Sequence, residues 1–237
     1  MQQPQEHKLK IIKIIDETPN VKTFRVEIPK DTEIDFFPGQ FFMVRFEDNP
    51  KLQRAYSIAS SPEQKSYMDI TLDLVGEFTK ILWKTKVNDY LIFKGPYGKF
   101  YFNETMKNDL VLICGGLGIT PMMSLIRYCD DKKLQNKINL LYSIKTPKDI
   151  VYNEEIKKIK EQNDNFSYLT TITRPKPEHN WTGKTGRIDL ELLKENIDDI
   201  ENNLYFICGP NEFVNAMIAD LESLGVKKEQ IKTDVWG

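Results

Sequence analysis

The sequence predicts two domains in series: a six-stranded antiparallel β-barrel over residues 1–105 and a doubly wound, parallel-sheet α/β domain over residues 106–237. Two observations carry this. The first half is a succession of short apolar runs broken by turn dipeptides, the spacing of a small all-β unit. The second half alternates β-rich runs with amphipathic stretches of helical period, the grammar of strand–helix–strand units around a parallel sheet.

In the first half, residues 9–15 and 21–28 read as strands, with Pro19-Asn20 as the turn between them. Residues 40–46, 55–59, 68–74 and 89–93 continue the series. Pro38-Gly39, Asn49-Pro50, Ser61-Pro62 and Gly95-Pro96 punctuate it, and one helix-like segment, residues 77–84, interrupts it. The polar stretch 103–107 is the expected boundary. Beyond it, strands at 110–114, 138–144, 167–173, 204–208 and 231–235 alternate with helices at 120–129, 153–162, 190–196 and 212–224.

Composition excludes several function classes. A formal net charge of −2 lacks the basic excess of a nucleic-acid binder. No apolar run approaches the roughly 20 residues of a membrane-spanning helix. The polar start, residues 1–10, lacks the apolar stretch of a signal peptide, so a cytoplasmic protein is expected. Three widely spaced cysteines, Cys114, Cys129 and Cys208, make neither a disulfide framework nor a four-thiolate cluster. With only His7 and His179, a zinc centre or a Ser-His-Asp site has few parts, and no metal is expected.

In a doubly wound sheet, ligands bind beyond the carboxyl ends of the strands. Cys114-Gly115-Gly116-Leu117-Gly118-Ile119-Thr120-Pro121 stands at such an end, between a strand and a helix. Glycines let a backbone approach a pyrophosphate, and a helix N-terminus offers unpaired N–H groups and a positive dipole end. Pro121 suits a first helical turn. The same residues also suit a plain strand–helix turn. Cys208-Gly209-Pro210 occupies a second such end. In the barrel half, Arg54-Ala55-Tyr56-Ser57 combines a bidentate phosphate donor, a flat stacking ring and a hydroxyl. In isolation these four residues read more readily as an ordinary half-buried strand with a surface arginine.

The order of the pieces adds what no single piece supplies. Pro38-Gly39-Gln40-Phe41, Arg54-Ala55-Tyr56-Ser57, Gly76-Glu77-Phe78-Thr79, Gly95-Pro96-Tyr97-Gly98, Gly115-Gly116-Leu117-Gly118-Ile119-Thr120-Pro121, Cys208-Gly209-Pro210 and Asp234-Val235-Trp236 follow one another along the chain. In this order the sequence resembles the ferredoxin–NADP reductase superfamily of flavoproteins over nearly its whole length.

That resemblance implies a flavin-binding barrel, a nicotinamide-nucleotide domain and an active site between them. It implies a hydride passed from NADPH or NADH to N5 of FAD, then electrons passed to a separate acceptor. The acceptor would be a ferredoxin, a flavodoxin, an oxygenase component, a haem protein or a small molecule. By the same resemblance Arg54 contacts the flavin phosphate, Tyr56 lies against the isoalloxazine and Ser57 bonds near N5, with Ala55 in the same strand. Gly76, Phe78 and Thr79 sit where the family holds the flavin pyrophosphate, which favours FAD over FMN.

Gly115, Gly116, Gly118, Ile119, Thr120 and Pro121 are matched to the coenzyme pyrophosphate, and Cys208, Gly209 and Pro210 to the nicotinamide. Trp236 falls where members place an aromatic ring over the flavin. Asp234 is either a proton source or a solvated charge. Thr173, Arg174 and Arg187 stand where a 2′-phosphate would be read, which tilts the expectation toward NADPH. Cys114 and Cys129 are assigned to packing. Two other readings remain open: a flavin or quinone reductase, and a non-catalytic electron-relay subunit of a larger complex.

Overall fold

The computed structural model describes residues 3–236, the side chain of Trp236 excepted. The first half forms β1 (Gln5–Thr18), β2 (Val21–Glu27), β3 (Phe41–Arg45), β4 (Gln53–Ser57), β5 (Tyr67–Asp73) and β6 (Tyr90–Tyr97), with α1 (Gly76–Leu82) between the last two. Their order in the sheet is β4-β3-β6-β1-β2-β5, with every pairing antiparallel. A bridge between Ile58 and Ile70 links the end of β4 to β5 and closes the sheet into a barrel. Alternation along each strand sends Leu9, Ile11, Phe24, Val26, Phe42, Val44, Ile70 and Phe93 inward. Phe78 and Leu82 of α1 join that core. Each such side chain contributes about 1.5–3 kcal/mol on burial.

Two elements run further than their apolar runs suggest. β1 extends to Gln5 and Thr18 because its two ends pair with different strands, β6 and β2. β6 continues through Gly95-Pro96, which the sequence marks as a turn. The pairing of β3 with β6 shifts register between Phe41 and Met43, and a bulge tolerates proline. Gly95 is required there, since a Cβ would stand 2.6 Å from the ring of Phe42.

The second half forms β7 (Leu110–Gly115), α2 (Ile119–Asp131), β8 (Ile138–Ile144), α3 (Asn153–Gln162), β9 (Phe166–Ile172), β10 (Lys184–Thr185), α4 (Leu190–Asn196), β11 (Leu204–Pro210), α5 (Asn211–Ser223) and β12 (Ile231–Trp236). The parallel sheet has the order β10-β9-β8-β7-β11-β12. Val111, Ile113, Tyr205 and Ile207 face Leu192, Leu193, Val214, Met217 and Leu221 of α4 and α5. β10 is a two-residue strand where a loop is expected. Both its residues are exposed, so it has no apolar signature and exists only through its pairing with Thr171 and Ile172.

The chain divides into two compact units. One holds the chain up to Asn103 together with Met123–Lys132, and the other holds Glu104–Met122 and the chain from Lys133 onward. No described helix is long and apolar enough to cross a membrane.

Candidate functional site

In the parallel sheet, β8 and β9 lie on one side of β7, and β11 and β12 lie on the other. The winding reverses between β7 and β11, and this is the switch point at which doubly wound sheets bind ligands. Both glycine turns noted in the sequence are there. Gly115 ends β7, Gly116–Gly118 form a single 3₁₀ turn, and α2 follows directly. Gly209 and Pro210 end β11, and α5 follows.

The glycines have separate reasons. A Cβ on Gly209 would stand 2.7 Å from the ring of Phe213 and 3.4 Å from the amide nitrogen of Gly115. Gly116 has φ +57 and no heavy atom within 4 Å of where a Cβ would be, so its backbone conformation favours glycine and its surface is open. Ile119 and Pro121 are buried in the first turn of α2. Thr120 is also buried, at 4% exposure, and its hydroxyl has no hydrogen-bond partner among the described residues. Leaving a buried hydroxyl unpaired costs about 1–3 kcal/mol. Together with the unpaired N–H groups of a helix start, it fits an acceptor-rich group such as a phosphate.

Register aligns Tyr142, Cys114, Cys208 and Asp234 across β8, β7, β11 and β12. The Cys208 thiol lies 4.0 Å from a carboxylate oxygen of Asp234. Burial, the Asp234 charge and Cys114 all push the Cys208 thiol up, so it stays protonated at neutral pH. Cys114 and Cys129 are free and buried, as packing residues are. Trp236 pairs in register with Pro210 in the last strand, and its side chain lies outside the described residues.

At the carboxyl ends of β9 and β10 the three residues matched to a 2′-phosphate differ. The hydroxyl of Thr173 donates to the carbonyl of Ile144 at 3.2 Å, so its single proton is committed within the fold. Arg174 and Arg187 are exposed. The sequence reading missed Lys145, which is exposed just beyond β8 and whose carbonyl accepts from the amide of Arg174 at 2.9 Å. A cation directly after the second strand of the sheet was the available signal.

In the barrel, β4 lies at the end of the sheet order and carries Arg54-Ala55-Tyr56-Ser57. Arg54 and Ala55 are exposed, and Tyr56 and Ser57 are half-buried. The Arg54 guanidinium donates to the carbonyl of its neighbour Gln53 at 2.8 Å. Tyr56 rests on Phe78 with ring centroids 5.6 Å apart, and Phe78 lies 4.9 Å from Phe46. Burial pushes the Tyr56 phenol up, so it is a neutral donor at physiological pH.

Two residues matched to the flavin pyrophosphate are turned inward. The ring of Phe78 is 1% exposed and supports Tyr56 from the core. The hydroxyl of Thr79 accepts from the amide of Val75 at 2.8 Å and donates to the carbonyl of the same residue. Its only proton is therefore spent on the loop before α1, and it has none to give an acceptor-only phosphate. Gly76 fits the expectation better, with φ +77 and open space around it.

Residues 8–102 match the oxidoreductase FAD-binding domain family and residues 112–218 match the oxidoreductase NAD-binding domain family. The chain is 31% identical over 236 residues to the F subunit of the Na(+)-translocating NADH-quinone reductase of Haemophilus ducreyi. It is 32% identical over the same length to that of Actinobacillus pleuropneumoniae. Each match takes in 93% of this chain and 57% of the relative, so the chain spans little more than half the length of these relatives.

The fold is that of a ferredoxin NADP+ reductase from Neisseria gonorrhoeae with bound FAD and NADP, at a TM-score of 0.82 and 24% identity over 97% of this chain and 98% of that one. It is also that of the FAD/NAD-binding domain of a Vibrio cholerae nitric oxide dioxygenase, at a TM-score of 0.84 and 22% identity over 97% and 98%. The chain belongs to the oxidoreductases built of an FAD-binding domain followed by an NAD-binding domain, in the fold of the ferredoxin NADP+ reductases.

Proposed function

We propose that this chain oxidises a nicotinamide coenzyme, reduces its FAD and delivers the electrons to a separate acceptor on the cytoplasmic side of the cell. Residues 1–105 are assigned to the flavin and residues 106–237 to the coenzyme. The observation that carries the coenzyme half is the buried hydroxyl of Thr120 at the switch point, which has no hydrogen-bond partner among the described residues. FAD, when bound, supplies the paired acceptance and stepwise release of electrons that no side chain here provides.

The chain's own residues bind and orient. Arg54 would hold a flavin phosphate with its exposed guanidinium. Tyr56, propped by Phe78, would present a ring face and a neutral phenol. Ser57 would offer its hydroxyl to the flavin ring. Gly76 would let the backbone pass close to the flavin pyrophosphate, while Thr79 holds that loop in shape. Gly115, Gly116, Gly118 and Thr120 would receive the coenzyme pyrophosphate. Cys208 and Gly209 would border the nicotinamide, with Asp234 tuning the Cys208 thiol and Trp236 gating the site.

NADH is the favoured donor. The relatives sharing 31–32% identity are components of NADH-quinone reductases, and the Thr173 proton is already committed to Ile144. NADPH is the second reading, favoured by the exposed cations Lys145, Arg174 and Arg187. A quinone-reducing assembly is the favoured electron route, as in those relatives. Turnover with each coenzyme and ferricyanide as acceptor tests the reading. The expected result is oxidation of NADH with the higher kcat/KM. Oxidation of neither coenzyme would instead make the chain a non-catalytic relay component.

A further inference from the structure

β4 ends at Ser57, yet the chain after it is not a surface loop. Ile58, Ala59, Ser60 and Ser61 are each 3% exposed or less. A buried segment outside regular pairing must satisfy its backbone groups individually. Ile58 donates its amide to the carbonyl of Gln40 at 3.1 Å, and Ala59 donates to the carbonyl of Asp69 at 2.8 Å. The amide of Asp69 donates to the hydroxyl of Ser60 at 3.1 Å.

The two carbonyls are held by side chains of α2. Arg127 donates to Ala59 at 2.6 Å, and Ser124 donates to Ser60 at 2.8 Å. Ser124 is fully buried. Asp69 is anchored in turn, its carboxylate taking two 2.9 Å bonds from Arg25, whose guanidinium lies 3.6 Å from the centroid of Tyr67. The backbone of Ile58, Ala59 and Ser60 is therefore held by β5, by Gln40 and by side chains of α2. The Ser57 hydroxyl makes no hydrogen bond to a described residue, so its placement depends on that backbone.

We propose that Arg127 and Ser124 are positioning residues. By holding the carbonyls of Ala59 and Ser60 they fix the backbone that presents Ser57, and so the hydrogen bond Ser57 offers to the flavin ring. This rests on the assignment of Ser57 to the flavin made above. A buried serine on a helix that bonds a distant carbonyl also has a purely structural use, which would move stability alone. The two uses separate experimentally, because only positioning acts through Ser57.

The test compares FAD-loaded Ser124→Ala, Arg127→Met and Ser57→Ala proteins, with the doubles Ser57→Ala/Ser124→Ala and Ser57→Ala/Arg127→Met. FAD dissociation constants, visible flavin spectra, melting temperatures and anaerobic flavin reduction by NADH are measured. Ser124→Ala and Arg127→Met should shift the flavin bands in the direction that Ser57→Ala shifts them. Each should slow reduction about tenfold, the scale of a sub-ångström misplacement. In the Ser57→Ala background neither should slow it further. Equal slowing with and without the Ser57 hydroxyl would overturn the proposal alone, as would a lowered melting temperature with unchanged spectrum and rate. A Ser57→Ala protein with unchanged spectrum and rate would overturn the assignment of Ser57 and the proposal with it.

Discussion

Replacing Thr120 with valine should strengthen the free protein and weaken its coenzyme binding. The Thr120 hydroxyl is buried at 4% exposure with no hydrogen-bond partner among the described residues. Valine has the same shape with a methyl in place of the hydroxyl, and the two β-branched residues have similar helix propensity. Removing the unpaired group should return about 1–3 kcal/mol, and burying the methyl should add about 0.8 kcal/mol. At about 2–4 °C per kcal/mol for a chain of this size, the melting temperature without coenzyme should rise by several degrees. If the hydroxyl donates to a coenzyme phosphate, its loss should cost about 1.5–3 kcal/mol, or about 10- to 150-fold in dissociation constant. Thermal melts and equilibrium titration of oxidised coenzyme read the two effects on one preparation. A lowered melting temperature, or an unchanged dissociation constant, would refute the reasoning.

Other consequences follow from the same geometry. Arg54→Ala should weaken FAD retention by about 1.5–3 kcal/mol, measured by fluorescence on dilution; unchanged retention would place the phosphate elsewhere. Arg174→Ala should raise the KM for NADPH and leave that for NADH nearly unchanged, and equal effects on both would show that this arginine does not read a 2′-phosphate. Burial pushes the thiols of Cys114 and Cys208 up, and that of Cys129 up to about 12. Above the ordinary thiol range near about 8.5, the unfolded chain therefore releases protons that the folded chain keeps. Stability is then fully present below that range and is lost as pH rises toward about 12, at about 1.4 kcal/mol per pH unit for each thiol. Urea midpoints at about pH 7.5 and 10 should differ accordingly, and Cys129→Ala should lessen the difference; equal midpoints would contradict it.

Periodicity makes several elements legible in the sequence. β8, α3 and α4 begin and end where their apolar patterns do, because each is bounded by its own turn or cap, as Asp189 caps α4 by accepting from Leu192 at 3.0 Å. β10 was not legible, since two exposed residues carry no periodic signal. Gly95-Pro96 reads as a turn by composition and lies in a strand only because a shift in the β3–β6 register accommodates it.

The candidate site shows the same division. The glycine turns at β7 and β11 could be placed at strand ends from sequence, because strand–helix alternation determines where strands end. What each hydroxyl does could not be read that way. Thr79, Thr120 and Thr173 look alike in sequence, but two have their proton committed to a nearby carbonyl and the third does not. The anchors of the segment after Ser57 were equally hidden. Ser124 and Arg127 lie 64 and 68 residues from their partners, and only the folded chain brings them there.

The most direct test of the account is an anaerobic titration of the purified protein with NADH, and then with NADPH, followed by flavin absorbance. A yellow protein carrying one noncovalent FAD, bleached by about one equivalent of NADH, is the predicted result. A flavin that stays oxidised under excess of both coenzymes would contradict the central claim, as would a preparation that neither contains nor binds FAD.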